Sequence, residues 1–457
     1  MHDVAIIGGG PGGYAAALYA HNFGLSVALV ESGAVGGTCL HRGCIPAKAW
    51  LHTAEVFQEV AGAAEVGVVT SAPQVDWDRA RERKDAVVSQ LHKGLQGLLK
   101  ARKVEVIAGT GRLAGPGVVD VTGADGAASR LEARKVIVAT GSAPRAIPGY
   151  EPDGRLIVTS DHALDWDRMP GRVAIIGAGA IGVEFAGMLA DLGSEVHLFE
   201  VMEQVLPGFE PEAARLLQRL LERRGVKVHA GTAVDPPSLG TDSVVVPFGG
   251  DSVEVDAVLV AVGRAPVTAG IGLEEAGVKL NGGFIAADLA TMLTDAPGVY
   301  AVGDVVGGTP QLAHAAFAEG IAAITHIATG TAAPVEYRAI PLVVYASPEV
   351  AQVGLTERQA IDAGYPVETH DHGIAGVGRA IIKGQTQGLV KLVVRRNGPI
   401  LGATVVGPAA GEMIHELMYA VGWEALPAEA AAFVHAHPTL SEAVGESLLA
   451  ASGRSLH

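Results

Sequence analysis

The sequence predicts an α/β protein of about three domains, two of which repeat one strand–turn–helix–strand pattern. A chain of 457 residues is too long for a single hydrophobic core. Hydrophobic residues make up 49% of it, enough to form several cores. Glycine is frequent, with 61 residues, whereas aromatic residues make up only 5%. This balance favours layers of helices and strands joined by tight glycine turns.

The repeated pattern begins at residue 3 with DVAIIGGGPGG and at residue 172 with RVAIIGAGAIG. Each copy contains the spacing G-x-G-x-x-G, and the glycines are Gly8, Gly10, Gly13, Gly177, Gly179 and Gly182. A second apolar strand follows in both copies and ends in an acid, Glu31 or Glu200. The acid comes 23 residues after the first glycine each time (31 − 8 and 200 − 177). Two copies at one spacing are a much stronger signal than a lone glycine motif.

Each repeat therefore predicts a Rossmann-like dinucleotide-binding domain. The first glycine permits the tight turn, the second lets the backbone approach a pyrophosphate, and the third lets the helix pack on the strand. The helix N-terminus then faces the anion, a site to which Ile181 of the second copy also belongs. Glu31 and Glu200 can each accept from the ribose hydroxyls of an adenosine. Two βαβ units without a ligand are the alternative reading.

The segment after the second ribose acid reads FEVMEQVLP, without a neighbouring arginine. A 2′-phosphate would meet the carboxylate of Glu200 and no cation, so the sequence favours NAD over NADP. Two bound dinucleotides indicate electron transfer between two carriers, one a nicotinamide and the other a flavin.

Further strands predict how the chain leaves and re-enters these domains. VIVATGSAPR at 136–145 and VLVAVGRAPV at 258–267 each end in a glycine turn. GVYAVGD at 298–304 ends in Asp304, which would hold hydroxyls of the flavin side chain or, alternatively, cap its own turn. Helix and strand patterns after residue 335 indicate a separate α+β domain. The predicted domains are a flavin domain at 1–146 and 269–335, a nicotinamide nucleotide domain at 147–268 and a C-terminal domain at 336–457.

Both cysteines of the chain, Cys39 and Cys44, lie in GGTCLHRGCIPAK. Five residues of regular helix separate two Cα atoms by about 8.6 Å, whereas a disulfide needs roughly 4.4–6.8 Å. A regular helix cannot hold that bridge, so Gly43 would have to help distort the turn. A bridge held in this way would be readily reduced, which indicates redox chemistry. Two buried thiols are the alternative.

Charge and composition exclude several classes of partner. The net charge of −16 disfavours nucleic acid and anionic membranes. The most apolar stretch, 173–192, contains glycines and Glu184 and does not read as a membrane span. The N-terminus lacks the basic region of a secretory signal. We expect a cytoplasmic protein with no metal site.

Over essentially its whole length the sequence resembles the flavin-dependent pyridine nucleotide–disulfide oxidoreductases, whose redox motif GGTCLHRGCIPAK matches. The resemblance implies FAD in the first nucleotide domain, NAD in the second and a homodimer interface in the C-terminal domain. It also implies that Cys39 attacks the substrate disulfide, while Cys44 lies nearest the flavin. The residues assigned to FAD are Gly8, Gly10, Gly13, Glu31, Gly37, Thr38, Lys48, Thr140, Gly141, Asp304 and Ala313. Those assigned to NAD are Gly177, Gly179, Ile181, Gly182, Glu200 and Gly263.

The segment HAHPTLSE at 435–442 matches the family's general base. By resemblance, His437 deprotonates the dithiol substrate in the active site of the other subunit, and Glu442 orients its imidazole. Local physics offers a rival role for Glu442, since Thr439 and Glu442 have capping-box spacing and Pro438 suits a helix start. The two roles predict different rotamers, and we favour the pairing with the imidazole. His435 is interpreted as structural.

Lys48 lies four residues after Cys44 on the same helix face. In the family this lysine pairs with the glutamate that matches Glu184. A buried lysine without a partner would be costly, so the pairing is physically sensible. Ala47 replaces the serine that usually precedes the lysine, a departure that removes a minor hydrogen bond.

The remaining substrate class follows from what the chain lacks. It has no further cysteines that could bind mercury or form a second redox pair. The segment FEVMEQVLP around Glu200 also has no arginine that could bind the 2′-phosphate of NADPH. The resemblance then implies oxidation of dihydrolipoamide on an acyltransferase or carrier protein of a 2-oxo acid dehydrogenase or glycine cleavage complex. A reductase of another low-molecular-weight disulfide is one alternative. A non-catalytic FAD-binding scaffold is another, and the intact set of cysteines and base counts against it.

Overall fold

The computed structural model describes residues 1–456, and these divide into two compact units. The first unit comprises Met1–Trp50, Asp78–Arg145 and Gly263–Tyr337. The second comprises Leu51–Trp77, Ala146–Val262 and the chain from Arg338 onward. Each unit is described below by itself.

Within residues 1–456 the α-helices have the following bounds. They are α1 Pro11–Ala20, α2 Gly37–His41, α3 Cys44–Ala61, α4 Trp77–Ala101, α5 Ser160–Ala163, α6 Ala180–Asp191, α7 Pro211–Arg223, α8 Ala313–Thr329, α9 Glu357–Asp362, α10 Gly378–Ile382, α11 Ala410–Gly422, α12 Pro427–Ala430 and α13 Glu442–Ala451.

The strands of the same residues are β1 His2–Ile7, β2 Val27–Glu31, β3 Glu105–Ala108, β4 Thr110–Gly115, β5 Val118–Thr122, β6 Ala128–Val138, β7 Ser142–Pro144, β8 Ile157–Thr159, β9 Arg172–Ile176, β10 Glu195–Glu200, β11 Lys227–Ala230, β12 Ser238–Leu239, β13 Val244–Phe248, β14 Asp251–Val255, β15 Ala257–Val260, β16 Arg264–Pro266, β17 Leu280–Asn281, β18 Phe284–Ile285, β19 Val299–Ala301, β20 Leu342–Val344, β21 Glu349–Gly354, β22 Val367–Gly373, β23 Leu389–Arg395 and β24 Ile400–Gly407.

The first unit is built on a sheet that joins a parallel and an antiparallel part. β3, β2, β1, β6 and β19 pair in parallel in that order. The long strand β6 also continues into an antiparallel meander with β5 and β4. β1 reads as a continuous apolar run with Val4, Ala5 and Ile6 fully buried, as a central parallel strand covered on both faces requires.

The second unit contains two main sheets. A parallel sheet in the order β11-β10-β9-β15-β8 carries α6 after β9, the same strand–helix arrangement that α1 makes after β1. An antiparallel sheet in the order β20-β21-β24-β23-β22 belongs to the C-terminal segment, with α11 and α13 packed on its apolar core. A small antiparallel sheet of β12, β13 and β14 completes the unit.

The predicted fold class is confirmed, with two Rossmann-like sheets and a C-terminal α+β segment. The two predicted strands are the end of β6 and β15, and Gly141 and Gly263 lie in the turns that follow them. The short strands after these turns, β7 and β16, run antiparallel to each other, with Ala143 opposite Ala265. The chain passes between units at Arg145 and again at Gly263. The finer four-segment domain limits stay a prediction. In residues 1–456 no helix combines the length and apolar character that a membrane span requires.

Candidate active site

The first glycine of each motif occupies a backbone conformation that other residues rarely adopt. Gly8 has φ +105° and Gly177 has φ +101°. A Cβ atom added to Gly8 would lie 2.2 Å from the carbonyl oxygen of Ala139, and one added to Gly177 would lie 2.5 Å from that of Ala261. The positive φ and the close backbone carbonyl each require glycine at these two positions.

The third glycine of each motif permits close packing of helix on turn. A Cβ atom on Gly13 would lie 1.9 Å from the carbonyl oxygen of Gly8, and one on Gly182 would lie 1.8 Å from that of Gly177. A side chain at either position would push the helix away from its strand. The spacing of the motif is thus explained by sterics at both ends.

The second glycine faces open space in both copies. A Cβ atom on Gly179 would meet nothing within 4 Å, and one on Gly10 would find its nearest neighbour, Gly37, at 3.9 Å. These glycines are the N-caps of α6 and α1, with nearly identical φ values of −71° and −70°. Each leaves a cradle of backbone N–H groups at a helix N-terminus, the setting that fits a pyrophosphate. Ile181 lies in the first turn of α6.

Glu31 ends β2 and turns its carboxylate back toward the first glycine loop. Its Oε2 accepts from the backbone N–H of Gly9 at 2.6 Å, and its Oε1 accepts from that of Gly33 at 2.7 Å. These two bonds fix the rotamer while leaving lone pairs on both oxygens. The carboxylate is therefore oriented in advance for a hydroxyl donor such as a ribose.

Glu200 repeats this arrangement at the end of β10. Its Oε2 accepts from the N–H of Ala178 at 2.8 Å, and its Oε1 accepts from the N–H of Met202 at 2.9 Å. Glu200 is buried, whereas the Met202 side chain is exposed. The two copies thus match residue for residue in their acids as well as their glycines.

Asp304 follows β19 in the first unit and is held by a neighbouring strand. Its Oδ2 accepts from the hydroxyl of Ser142 at 2.6 Å, and the Ser142 hydroxyl in turn accepts from Nε of Arg264 at 2.7 Å. The Thr140 hydroxyl donates to the carbonyl of Val267 at 2.6 Å. The bonds of Ser142 and Arg264 orient the Asp304 carboxylate from outside its own turn.

Two other residues assigned to FAD occupy special backbone positions. Gly141 has φ +70°, in the turn between β6 and β7. Ala313 is the first residue of α8, a helix of 17 residues, so its backbone N–H is among the donors without an intrahelical acceptor. Both positions fit contacts made by backbone rather than by side chain.

The two cysteines lie on different helices. Cys39 is in α2, which ends at His41, and Cys44 begins α3. Arg42, with φ −140° and ψ 23°, leaves the helical conformation between them. The expected distortion is therefore a complete break of the helix, which brings together side chains that a regular helix would hold apart.

The side chains of Cys39 and Cys44 hydrogen-bond to each other. The pKa of Cys39 is raised well above its usual range, first because its thiol hydrogen-bonds to Cys44 and second because it is buried. The charge of Lys48 opposes this shift. Cys44 itself begins the 18-residue helix α3, and a helix N-terminus favours a negative charge.

The cysteine loop is seated on the first glycine loop. Gly37 has φ +59°, and a Cβ atom there would lie 2.5 Å from the Cα atom of Gly10. The N–H of Gly36 donates to the carbonyl of Gly9 at 2.8 Å. The structure therefore brings the dithiol, Thr38 and the cradle of the first dinucleotide together within one unit.

Tyr14 is a neighbour of the thiols that the sequence analysis missed. Burial, together with the charges of Cys39 and Cys44, raises the pKa of Tyr14 to about 12. Its ring packs against Phe317 of α8, with a centroid separation of 5.5 Å. Its position directly after Gly13, on the helix α1 that starts at the first glycine loop, could have indicated this neighbourhood.

His437 and Glu442 form a hydrogen-bonded pair in the C-terminal segment. Nδ1 of His437 lies 2.8 Å from Oε1 of Glu442, and Oε2 of Glu442 accepts from the N–H of Thr439 at 2.9 Å. The expectation that the two hydrogen bonds of Glu442 need different rotamers is wrong, because one rotamer of the carboxylate makes both. Hydrogen bonding from His437 and then from Thr439 lowers the pKa of Glu442.

A helix start near Pro438 is also wrong, since α13 begins at Glu442 with Ser441 as its N-cap. The Thr439 hydroxyl donates to the carbonyl of Ala436 at 2.7 Å instead of capping the helix. Only the carboxylate half of the predicted capping box is therefore present.

His435 makes a second imidazole–carboxylate pair next to the first. Its Nε2 lies 2.8 Å from Oε2 of Glu416 on α11, and the pairing with Glu416 raises the pKa of His435 despite its partial burial. A Cβ atom on Gly445 would lie 2.6 Å from the His435 ring. This packing anchors the loop that carries His437, as expected of a structural residue.

Lys48 and Glu184 belong to different units, so their predicted pairing stays a prediction, as does the assignment of Gly263 to NAD. Within the second unit Glu184 lies on α6, is buried, and accepts from the N–H of Tyr345 at 2.9 Å. Among residues 1–456, no group of three or more His, Cys, Asp or Glu side chains is arranged to hold a metal ion.

Two dinucleotide cradles and a dithiol seated on the first of them define a class of oxidoreductases that carry electrons between a nicotinamide and a disulfide. Comparison with protein families agrees. The family described as pyridine nucleotide-disulphide oxidoreductase matches residues 2–320, and the dimerisation domain of the same family matches residues 340–448. The chain belongs to this family, whose members use FAD and NAD.

Similar proteins share the whole length of the chain. A dihydrolipoyl dehydrogenase of Bacillus subtilis is 39% identical and aligns with 100% of this chain and 99% of its own. One from Chlorobaculum tepidum is 42% identical over 97% of this chain and 96% of its own. The crystal structure of LpdA from Mycobacterium tuberculosis has a TM-score of 0.91 at 29% identity, covering 98% of this chain and 99% of that one.

Proposed function

We propose that this oxidoreductase oxidises protein-bound dihydrolipoamide to lipoamide and reduces NAD⁺ to NADH, with FAD as the resident carrier. The observation that carries the proposal is the hydrogen-bonded pair of Cys39 and Cys44, which rests on the first glycine loop through Gly37 and Gly10. The full-length similarity to dihydrolipoyl dehydrogenases supports this substrate. When bound, FAD supplies the two-electron chemistry that connects the dithiol with NAD⁺.

The cysteines exchange a disulfide with the substrate in two steps. One substrate thiolate attacks Sγ of Cys39, which forms a mixed disulfide and breaks the Cys39–Cys44 bond, with Cys44 leaving as a thiolate. The second substrate thiol then attacks the substrate sulfur of the mixed disulfide, which closes the lipoamide ring and releases Cys39. The substrate loses two electrons and the cysteine pair gains them. The hydrogen bond to Cys44 suits Cys44 to be the group that leaves with the charge.

His437 is the group proposed to take the proton from the substrate thiol. Its Nδ1 is held against Glu442, which leaves Nε2 as the proton acceptor, and the side chain is 77% exposed. A carboxylate on the far nitrogen fixes the tautomer and stabilises the imidazolium that forms. In the proposed homodimer, His437 serves the active site of the other subunit. The match to the family's dimerisation domain supports the dimer.

The remaining site residues act on the two nucleotides. For FAD, the backbone at Gly8, Gly10 and Gly13 would receive the pyrophosphate, Glu31 the adenosine ribose, and Asp304 hydroxyls of the flavin side chain. The other positions proposed to contact FAD are Gly37, Thr38, Lys48, Thr140, Gly141 and Ala313. For NAD the matching set is Gly177, Gly179, Ile181, Gly182, Glu200 and Gly263, while Lys48 and Glu184 would pair beside the reactive flavin nitrogen.

A lipoyl-bearing acyltransferase or carrier protein is the proposed partner, and the cytoplasm is the proposed location. A turnover assay tests the function: dihydrolipoamide with NAD⁺ is compared with glutathione disulfide and NADPH on the purified flavoprotein. We expect turnover with the first pair only. Activity confined to another low-molecular-weight disulfide would overturn the substrate. Failure of anaerobic NADH to reduce the flavin would instead indicate a non-catalytic scaffold.

A further inference from the structure

A buried lysine in the second unit is surrounded by carboxylates. Lys391 of β23 is 2% exposed. Its Nζ lies 2.7 Å from Glu357, 3.1 Å from Glu210 and 3.2 Å from Glu212. Glu357 begins α9 of the C-terminal segment, whereas Glu210 and Glu212 belong to the start of α7 after the second nucleotide motif. The cluster therefore fastens α7 to the C-terminal sheet.

Glu210 is the centre of this attachment. It is 1% exposed and is the N-cap of α7. One of its carboxylate oxygens receives Lys391, and the other accepts from the N–H of Glu357 at 2.6 Å. Its own N–H donates to the side chain of Gln352 on β21 at 3.1 Å. Three polar contacts thus hold one residue in place where water is excluded.

The segment 201–210 connects this attachment to the nucleotide motif. It begins directly after Glu200 and ends at Glu210. Midway, Leu206 is buried with φ +48°, a left-handed conformation that is unfavourable for a leucine, and its N–H donates to the carbonyl of Ala178 at 2.8 Å. The N–H of Ala178 in turn donates to Glu200. The N–H of Phe209, the residue before Glu210, donates to the carbonyl of Leu206 at 3.1 Å. Hydrogen bonds and the backbone at Phe209–Glu210 together thus connect Lys391 with the carboxylate of Glu200.

The ion cluster holds one end of this connection in place. Burial alone would lower the pKa of Lys391, but hydrogen bonds and charges from Glu357 and Glu210 outweigh burial and raise it, so the lysine stays charged. If Lys391 lost its charge, Glu210 would be left as a buried, uncompensated carboxylate, which is strongly unfavourable. The intact cluster therefore fixes the C-terminal end of segment 201–210, at Glu210.

We propose that Lys391, acting through Glu210, is a positioning residue for the nicotinamide nucleotide. It holds segment 201–210, and with it the contact between Ala178 and Glu200, in the geometry in which Glu200 receives the adenosine ribose. Lys391 itself touches no nucleotide. The proposal rests on the proposed role of Glu200 and deepens it, because it makes nucleotide affinity depend on the C-terminal segment.

Binding of NADH to the purified flavoprotein tests the proposal directly, provided that the protein is first fully reduced with dithionite under anaerobic conditions, so that no hydride can be transferred. We expect the Kd, followed by nicotinamide fluorescence, to rise roughly three- to thirtyfold in Glu210→Gln and in Lys391→Met, the range usual for residues that act through others. The KM for dihydrolipoamide and the flavin content should stay unchanged. Lys383→Met, which removes an exposed lysine of the same segment, is the matched control and should bind NADH as the parent does.

A double-mutant cycle distinguishes positioning from general damage. If Lys391 acts through Glu210, the variant carrying both substitutions should bind NADH no more weakly than the weaker of the two single variants. It also removes both buried charges together, so it remains informative if a single variant loses its thermal transition.

Glu200→Gln is measured in parallel. Weaker binding in Glu200→Gln, with Glu210→Gln and the double variant within twofold of the parent, would overturn this proposal alone. Unchanged binding in Glu200→Gln would overturn the proposed nucleotide site.

Discussion

Nδ1 of His437 lies 2.8 Å from Oε1 of Glu442, while the other oxygen of the same carboxylate receives the N–H of Thr439. The carboxylate is thus fixed by the backbone of the loop that carries the histidine, and the imidazole cannot turn without breaking the pair. This explains how an exposed histidine can keep one orientation. It also makes the contribution of each residue separable by substitution.

We expect His437→Gln to lower the rate of dihydrolipoamide oxidation by about 10²- to 10⁴-fold, the usual contribution of a general base. FAD content and electron transfer from NADH to an artificial dye should survive, because neither needs a deprotonated substrate thiol. Steady-state kinetics with both acceptors measures the difference. Glu442→Gln should cost less, since glutamine can still accept from Thr439. Equal loss of dye reduction in His437→Gln would contradict the assignment.

His435 should make stability depend on pH. Its pairing with Glu416 raises its pKa in the folded protein above the unfolded value near 6.5. The stabilisation is therefore fully present below about pH 6.5 and is lost as the pH rises through the folded pKa. His435→Gln should lower the free energy of unfolding more at about pH 5.5 than at about pH 8.5. Denaturant titrations at both pH values check this, and equal losses would contradict it.

The cysteines should differ in their optical signature. Because hydrogen bonding to Cys44 and burial raise the pKa of Cys39, we expect the negative charge of the reduced pair to lie on Cys44. Cys39→Ser should keep the long-wavelength absorbance band of a thiolate beside oxidised flavin and lose lipoamide turnover. Cys44→Ser should keep FAD and lose the band. Visible spectra of the two purified variants provide the comparison. Full turnover by Cys39→Ser would show that Cys39 is not the attacked sulfur.

The preference for NAD(H) over NADP(H) should depend on Glu200. Its carboxylate would repel a 2′-phosphate, so we expect kcat/KM with NAD(H) to exceed that with NADP(H) at least about tenfold, or about 1.4 kcal/mol. Replacing Glu200 with a small residue and Met202, which is exposed and adjacent, with arginine should narrow the gap. Parallel assays with both nucleotides measure it, and equal use of NADPH by the parent protein would contradict the prediction.

The nucleotide cradles could be predicted from sequence because each residue performs a local task. Gly8 supplies a positive φ, Gly13 a missing side chain, and Glu31 an acid at the end of the next strand, all within one βαβ unit. The second copy repeats these tasks at the same spacing. Sterics of this kind leave few other residues possible, so the pattern is visible in a single sequence.

Other parts of the site could not be predicted because they depend on contacts distant in sequence. The helix break at Arg42 leaves no propensity signal beyond Gly43. Lys391 and Glu210 are separated by 181 residues, and no sequence motif connects the two positions. The two hydrogen bonds of Glu442 depend on the start of α13 at Glu442. The sequence predicted this start wrongly, because Pro438 and Thr439 favour an earlier one.

A mixed dimer tests whether each active site is built from both subunits. A Cys39→Ser chain and a His437→Gln chain should each be inactive, or nearly so, as homodimers. If His437 serves the other subunit, a heterodimer of the two has one site that carries both defects and one that carries neither. We then expect activity to return to about half of the parental value per heterodimer.

The opposite geometry gives a different result from the same mixture. If each site lay within one chain, every site in the heterodimer would carry one defect, and no activity would return. Differently tagged chains, purified through both tags after subunit exchange, ensure that heterodimers are what is assayed. Flavin content controls for loss of cofactor during exchange. Inactive heterodimers with full flavin content would overturn the shared site, while His437 could still be the base within its own chain.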